Sequence, residues 1–133
     1  MVKLIFSFTL LFLFSCSNKQ KIISSLENIR DTNKETRPGL KIVRENKNST
    51  YAYVTLLKSE RPHVHDNNDV TAYVLKNGAT LHFETEDIPL KAGQLIVIPK
   101  KTKHHISIPE GKMAKAFLII TPKVGKDFKR YVK

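Results

Sequence analysis

An all-β barrel or sandwich is the fold class this sequence predicts, and three observations predict it. Short runs rich in β-branched, aromatic and other apolar residues occupy positions 51–57, 71–75, 80–83, 95–98 and 116–121, a length and composition that suit strands. Turn-forming residues separate these runs: Asn77-Gly78, Lys91-Ala92-Gly93, the segment 99–103 that opens with Pro99, and Pro109-Glu110-Gly111. Their intervals are those of antiparallel connections. No internal repeat, heptad pattern or phosphate-cradling glycine loop competes with that reading. The length of 133 residues, 41% hydrophobic and 26% charged, suits one small domain with a packed core. Five Gly and six Pro are too few for a collagenous or low-complexity chain.

The elements follow in chain order. Lys3 precedes an almost wholly apolar run at residues 4–14, which ends at Ser15 and Cys16. A membrane-spanning helix needs roughly 20 apolar residues, so the run reads as an export signal over residues 1–15. It holds Phe6, Phe8, Phe12 and Phe14, which leaves the rest of the chain poor in aromatics. Leu13-Phe14-Ser15-Cys16 resembles a bacterial lipobox. That resemblance implies that Cys16 becomes the lipidated first residue of a mature protein held by its lipid at the cell envelope. An ordinary signal peptide with an incidental cysteine is the alternative. Cys16 is the only cysteine, and once consumed by lipid it leaves no thiol for a disulfide, a nucleophile or a metal cluster. Residues 16–36 read as a tether: Ile22, Ile23, Leu26 and Ile29 suit one short amphipathic helix, and a disordered spacer explains the same polar stretch equally well.

The formal charge is +11, and removing residues 1–15 takes away only Lys3 among the 23 basic residues. Such a balance fits anionic lipid surfaces, anionic small molecules or nucleic acid. The basic residues are scattered without interleaved aromatics, and nucleic acid is therefore not an expected partner. From Arg37 the texture changes, and residues 37–133 form the expected domain.

The histidines carry the sharpest chemistry. His63 and His65, two apart, point to one face of a strand. His104 follows a strand and a turn, where an antiparallel barrel brings it opposite that pair. Three neutral imidazoles hold a transition metal and leave coordination positions open. His105, next to His104, points the other way in a regular strand. Without context, an HxH pair is equally an exposed pair with no ligand role.

The context resembles the cupin family. His63-Val64-His65 fits the centre of its first motif, and Gly93, Pro99 and His104 match the second at every spacing. Tyr73-Val74-Leu75, Gly78 and residues 88–93 look like the family's linking segment, and the resemblance covers about residues 50–121. It implies a double-stranded β-helix, a closed jelly-roll-like barrel with the site inside. It also implies one divalent transition metal, Fe, Mn, Zn or Ni, on His63, His65 and His104. Three glycines of the pattern are missing: Leu57 stands for the first, Asn77 or its neighbour for the next, and Lys101 for the one in the second motif. The first motif's carboxylate falls on Asp69 at one family spacing and on Val70, which cannot ligate, at the other. Asp69 is accordingly either a fourth ligand or a solvated turn residue beside a three-histidine site.

His82, Glu84 and Tyr73 lie nearby without readable orientation; surface is the expectation for His82 and ordinary packing for Tyr73. Lys100, Lys101 and Lys103 either line the barrel mouth, where they would attract an anionic small molecule, or form a solvated loop. No separate general acid, base or nucleophile is identifiable. The expected protein is an exported, lipid-anchored, metal-binding cupin that acts on or binds a small molecule. Metal-dependent dioxygenase or isomerase, non-catalytic binding module and structural barrel are the alternatives, and a homodimer is compatible with all of them.

Overall fold

Alternation of side chains across the apolar runs builds ten strands in the structure, a computed structural model that describes residues 39–133. They are β1 (Gly39–Glu45), β2 (Thr50–Leu56), β3 (His63–Val64), β4 (Asp69–Lys76), β5 (Ala79–Phe83), β6 (Asp87–Leu90), β7 (Leu95–Ile98), β8 (His104–Ser107), β9 (Ala114–Thr121) and β10 (Arg130–Tyr131). Two five-stranded antiparallel sheets result, in the orders β1-β2-β9-β4-β7 and β10-β3-β8-β5-β6. Every element is a strand or a connection, as the all-β reading expects. The export run, Cys16 and the tether lie outside the described residues.

Period-two patterning decides which side chains face inward. On β4, Val70, Ala72 and Val74 face the interior, while Thr71 and Tyr73 alternate with them. The same register carries Leu118 and Ile120 of β9 and Ile96 and Ile98 of β7 to the interior face. From the opposite sheet Ala79, Leu81 and Leu90 complete the core. Leu81 and Ile120 are its largest fully buried apolar side chains. Fully burying a side chain of this size contributes about 1.5–3 kcal/mol. A one-residue slip of β9 would move Leu118 and Ile120 to the outside and forfeit both contributions.

Turns hold the two sheets in register. Gly78 ends the β4–β5 connection at φ 107°, and the preceding Asn77 accepts the Ala92 N–H on Oδ1 at 2.6 Å. Gly93, at φ 93°, donates its N–H to Val74 O. Both backbones lie where a Cβ is disfavoured, which is why glycine stands there. Lys101 adopts φ 65°, the one non-glycine residue with positive φ among the described residues. It occupies the position where the resemblance calls for glycine, so the loop keeps the glycine-type conformation and Lys101 bears its cost, about 1–2 kcal/mol.

Candidate metal centre

Sheet pairing, not sequence proximity, assembles the site. β3 pairs with β8 through His63 opposite His104, and β10 lies on the other side of β3 with Tyr131 opposite His63. His65 leaves β3 two residues on and turns its ring to the same side. All three histidines are buried, at 1–3% exposure. Their ring centroids stand 4.5 Å apart for His63 and His104, and 5.1 Å apart for each of the other two pairs. One ligand atom from each lies within 4.8 Å of the others. Nitrogens bound to one transition ion stand roughly 3.4 Å apart, a closing that small ring rotations supply.

The hydrogen bonds select the ligating atom. Each ring gives its Nδ1–H to a main-chain carbonyl: His63 to Arg61 O at 2.9 Å, His65 to Phe128 O at 2.6 Å, and His104 to Thr102 O at 2.9 Å. A neutral imidazole that donates from Nδ1 keeps a lone pair on Nε2. Three such lone pairs on three neighbouring rings are the donor set a transition metal takes, already oriented by their outer hydrogen bonds. Burial pushes the His104 pKa down to about 4, and burial lowers His63 and His65 as well. The trio is therefore neutral at pH 7 and need not shed protons to ligate. The residues present fit a divalent transition metal.

Asp69 does not join them. It is exposed at the start of β4, and its Oδ1 accepts the Lys100 N–H at 2.8 Å, fastening the loop that leads to His104. His105 points away from the cluster and stacks on His82 at 4.5 Å between ring centroids. His82 in turn bonds Asp87 and Ser107, each at 2.6 Å. Lys100 and Lys101 are exposed, Lys103 reaches Glu84 at 3.4 Å, and none of the three lines the cavity. Their placement fits the solvated-loop alternative.

The cavity beside the histidines is about 180 Å³ and mostly apolar. Two polar residues that sequence reasoning missed stand in its wall. Glu60, with a side chain 13% exposed, pairs with Lys129 of the C-terminal segment. The charge of Glu60 acts on all three histidines, opposing the effect of burial. The C-terminal segment is itself part of the site: Phe128 stacks on His65 at 4.2 Å, and Tyr131 meets His63 edge-on at 6.1 Å. Arg61 lies over the Tyr131 ring at 4.1 Å. Arg130 forks onto Asp66 at 2.6 and 2.8 Å and holds that carboxyl below the usual range. The available signal was slight: Phe128 and Tyr131 are the only aromatics after Phe117.

Comparison with known proteins agrees with this architecture. The family model described as Cupin domain matches residues 52–120. Among solved structures, Streptomyces Pac13, a nucleoside dehydratase, superposes with a TM-score of 0.60 at 19% identity, covering 71% of this chain and 77% of that one. A Pac13 variant with uridine gives 0.61 over similar shares. A cupin-2 domain containing protein of Shewanella frigidimarina gives 0.60 at 18% identity, over 73% of this chain and 92% of that one. An uncharacterized Klebsiella pneumoniae protein with a double-stranded β-helix domain gives 0.60 at 18%, over 74% and 87%. No curated protein matches the chain.

Proposed function

The chain belongs to the cupin domain family and carries its double-stranded β-helix, and from that premise we propose an exported, lipid-anchored protein that holds one divalent transition metal on His63, His65 and His104 and binds or acts on a small molecule in the adjoining cavity. One observation carries the metal: all three Nδ1–H groups are committed to main-chain carbonyls, which leaves Nε2 of each ring as the free donor in a cluster whose ligand atoms lie within 4.8 Å of one another. When bound, such an ion polarises an oxygen of a ligand and serves as a Lewis acid. The chain's own residues do the rest. The backbone carbonyls of Arg61, Thr102 and Phe128 hold the rings, Phe128 covers His65 against water, and the apolar barrel wall fixes the body of the molecule.

An enzyme and a binding module use this site alike. Glu60, a carboxylate in the cavity wall, favours the enzyme because it offers a hydrogen-bond acceptor beside the histidines. Dioxygenation and isomerisation are the reactions proposed first. The dehydratase activity of Pac13 adds elimination of water from a small hydroxylated substrate as a third class to assay. Metal content decides the central point. Full-length protein purified without chelator is expected to carry about one transition ion per chain. The combined alanine variant at positions 63, 65 and 104 is expected to carry none; equal metal in both ends the assignment.

Export and anchoring rest on the apolar run at residues 4–14 and the lone Cys16 at its end. Two or more acyl chains anchor a protein stably. Mass spectrometry of membrane-extracted protein is expected to find an acylated N-terminal Cys16. A soluble product cleaved elsewhere refutes it.

A further inference from the structure

The cavity wall is divided along its length. At one end lie the three histidines with Glu60; the remainder is built from aliphatic side chains of both sheets, among them Val54, Val74, Ile96, Ile106 and Leu118. An apolar wall of this kind rewards an apolar body and excludes polar groups that find no partner. Its volume of about 180 Å³ is near that of an aliphatic cavity that holds a single benzene ring, about 150 Å³. A nucleoside, with its sugar as well as its base, is larger than one ring and carries several hydroxyls for which the aliphatic part of this wall has no partner.

In the metal-free protein, charge at the histidine end is balanced. Lys129 is engaged by Glu60 through Oε1, so its ammonium is already neutralised. Glu60 Oε2 stays available to accept from an O–H donor, while the neutral Glu60–Lys129 pair offers no net positive charge to draw a carboxylate out of water. The cavity's other two cations stand elsewhere: Lys76 closes β4 and pairs in register with Lys115. The other end of β4, Asp69, is tied to Lys100, whose neighbour Lys101 donates to His65 O at 2.8 Å.

We propose that the cavity of the metal-free protein takes a neutral alcohol or phenol whose apolar body has about the volume of one ring, with its hydroxyl donated to Glu60 beside the histidine cluster. Glu60 is the residue that sets this specificity. The inference rests on the cavity being the ligand site of the proposed function, and it names the chemical class that site accepts.

The test is a titration of full-length, metal-free protein with phenol, 1-hexanol, benzoate, hexanoate and uridine, followed by calorimetry or ligand-observed NMR. At least one of the two hydroxyl compounds is expected to bind at least tenfold more tightly than the acid of matched body, and uridine more weakly than either. In Glu60→Gln, checked for folding by circular dichroism, the alcohol-to-acid ratio is expected to fall at least threefold. Acids that equal or exceed the alcohols, uridine that binds most tightly, or no binding by any compound overturns the proposal on wild-type protein alone. Zinc uptake by the same protein, compared with the triple histidine variant, reads the metal assignment separately. Normal zinc uptake with failed alcohol preference sinks only the ligand class, and alcohol preference with no zinc uptake sinks only the metal.

Discussion

Acidifying the metal-free protein attacks the histidine cluster directly, and the size of the effect follows from His104. Its pKa in the folded chain is about 4, against an ordinary value of 6.5, because burial disfavours the charged ring. A histidine depressed in this way is protonated in the unfolded chain first. Its stabilisation is complete above pH 6.5 and is lost as pH falls from there toward 4. Integrating the proton uptake gives a loss of about 2 kcal/mol between pH 7 and pH 5 from His104 alone. His63 and His65, also lowered by burial, add losses of the same sign. The assay is urea denaturation of chelator-treated protein at pH 7, 6 and 5, followed by circular dichroism. The unfolding free energy is expected to fall by at least about 2 kcal/mol across that range, with the midpoint dropping and the slope unchanged. In His104→Gln, whose amide can still donate to Thr102 O, the fall is expected to be about 2 kcal/mol smaller. A wild-type stability that holds constant from pH 7 to 5, or a variant that loses as much as the wild type, refutes the reasoning.

Zinc at one hundred times its dissociation constant is expected to raise wild-type stability by about 2.7 kcal/mol, and His65→Ala is expected to abolish that increment in a thermal melt. Phe128→Ala removes a half-buried ring from His65 and is expected to cost about 1–3 kcal/mol and to weaken zinc binding by about tenfold; unchanged affinity would show that the stacking orients nothing. Lys101→Gly relieves a positive φ at some cost in unfolded-chain entropy, so its stability is expected to equal or exceed the wild type by up to about 1 kcal/mol. Lys101→Pro removes the N–H that reaches His65 O and forces φ negative, and a loss of about 3 kcal/mol or more in chemical denaturation is expected.

The residues legible in advance were those whose local pattern coincides with their role. β7 carries Leu95–Ile98 as the apolar run indicates, and β2, β4, β5 and β9 lie within two residues of the runs that announce them. The other strands give no such signal. β1 is exposed along its whole length and mixes Lys41, Arg44 and Glu45 into its pattern. β3 and β10 are two-residue strands that pair with each other, and β3 pairs on its other side with His104 of β8. In the site, spacing sufficed for His63, His65 and His104, because period two and a turn of fixed length determine their directions. It could not reach Lys129, which meets Glu60 across 69 residues of chain. At Asp69 spacing left two readings open, and the structure places its carboxylate on the Lys100 N–H, outside the histidine cluster.

The three carbonyls that hold the histidine rings give the site an asymmetry between kinds of mutation. A carbonyl belongs to the main chain, so replacing the side chain of Thr102 leaves the acceptor for His104 in place. The aim of the ligands is thus written in the path of the backbone and is indifferent to most point changes at the residues that supply it. Insertions, deletions and prolines between Pro99 and His104 are where it is exposed. Meanwhile Val54, Val74, Ile96 and Leu118 line the cavity without touching that scaffold of carbonyls, and exchanging them reshapes the space for a ligand without re-aiming a single nitrogen. One barrel can in this way keep its three-histidine head and change the shape of the cavity beside it.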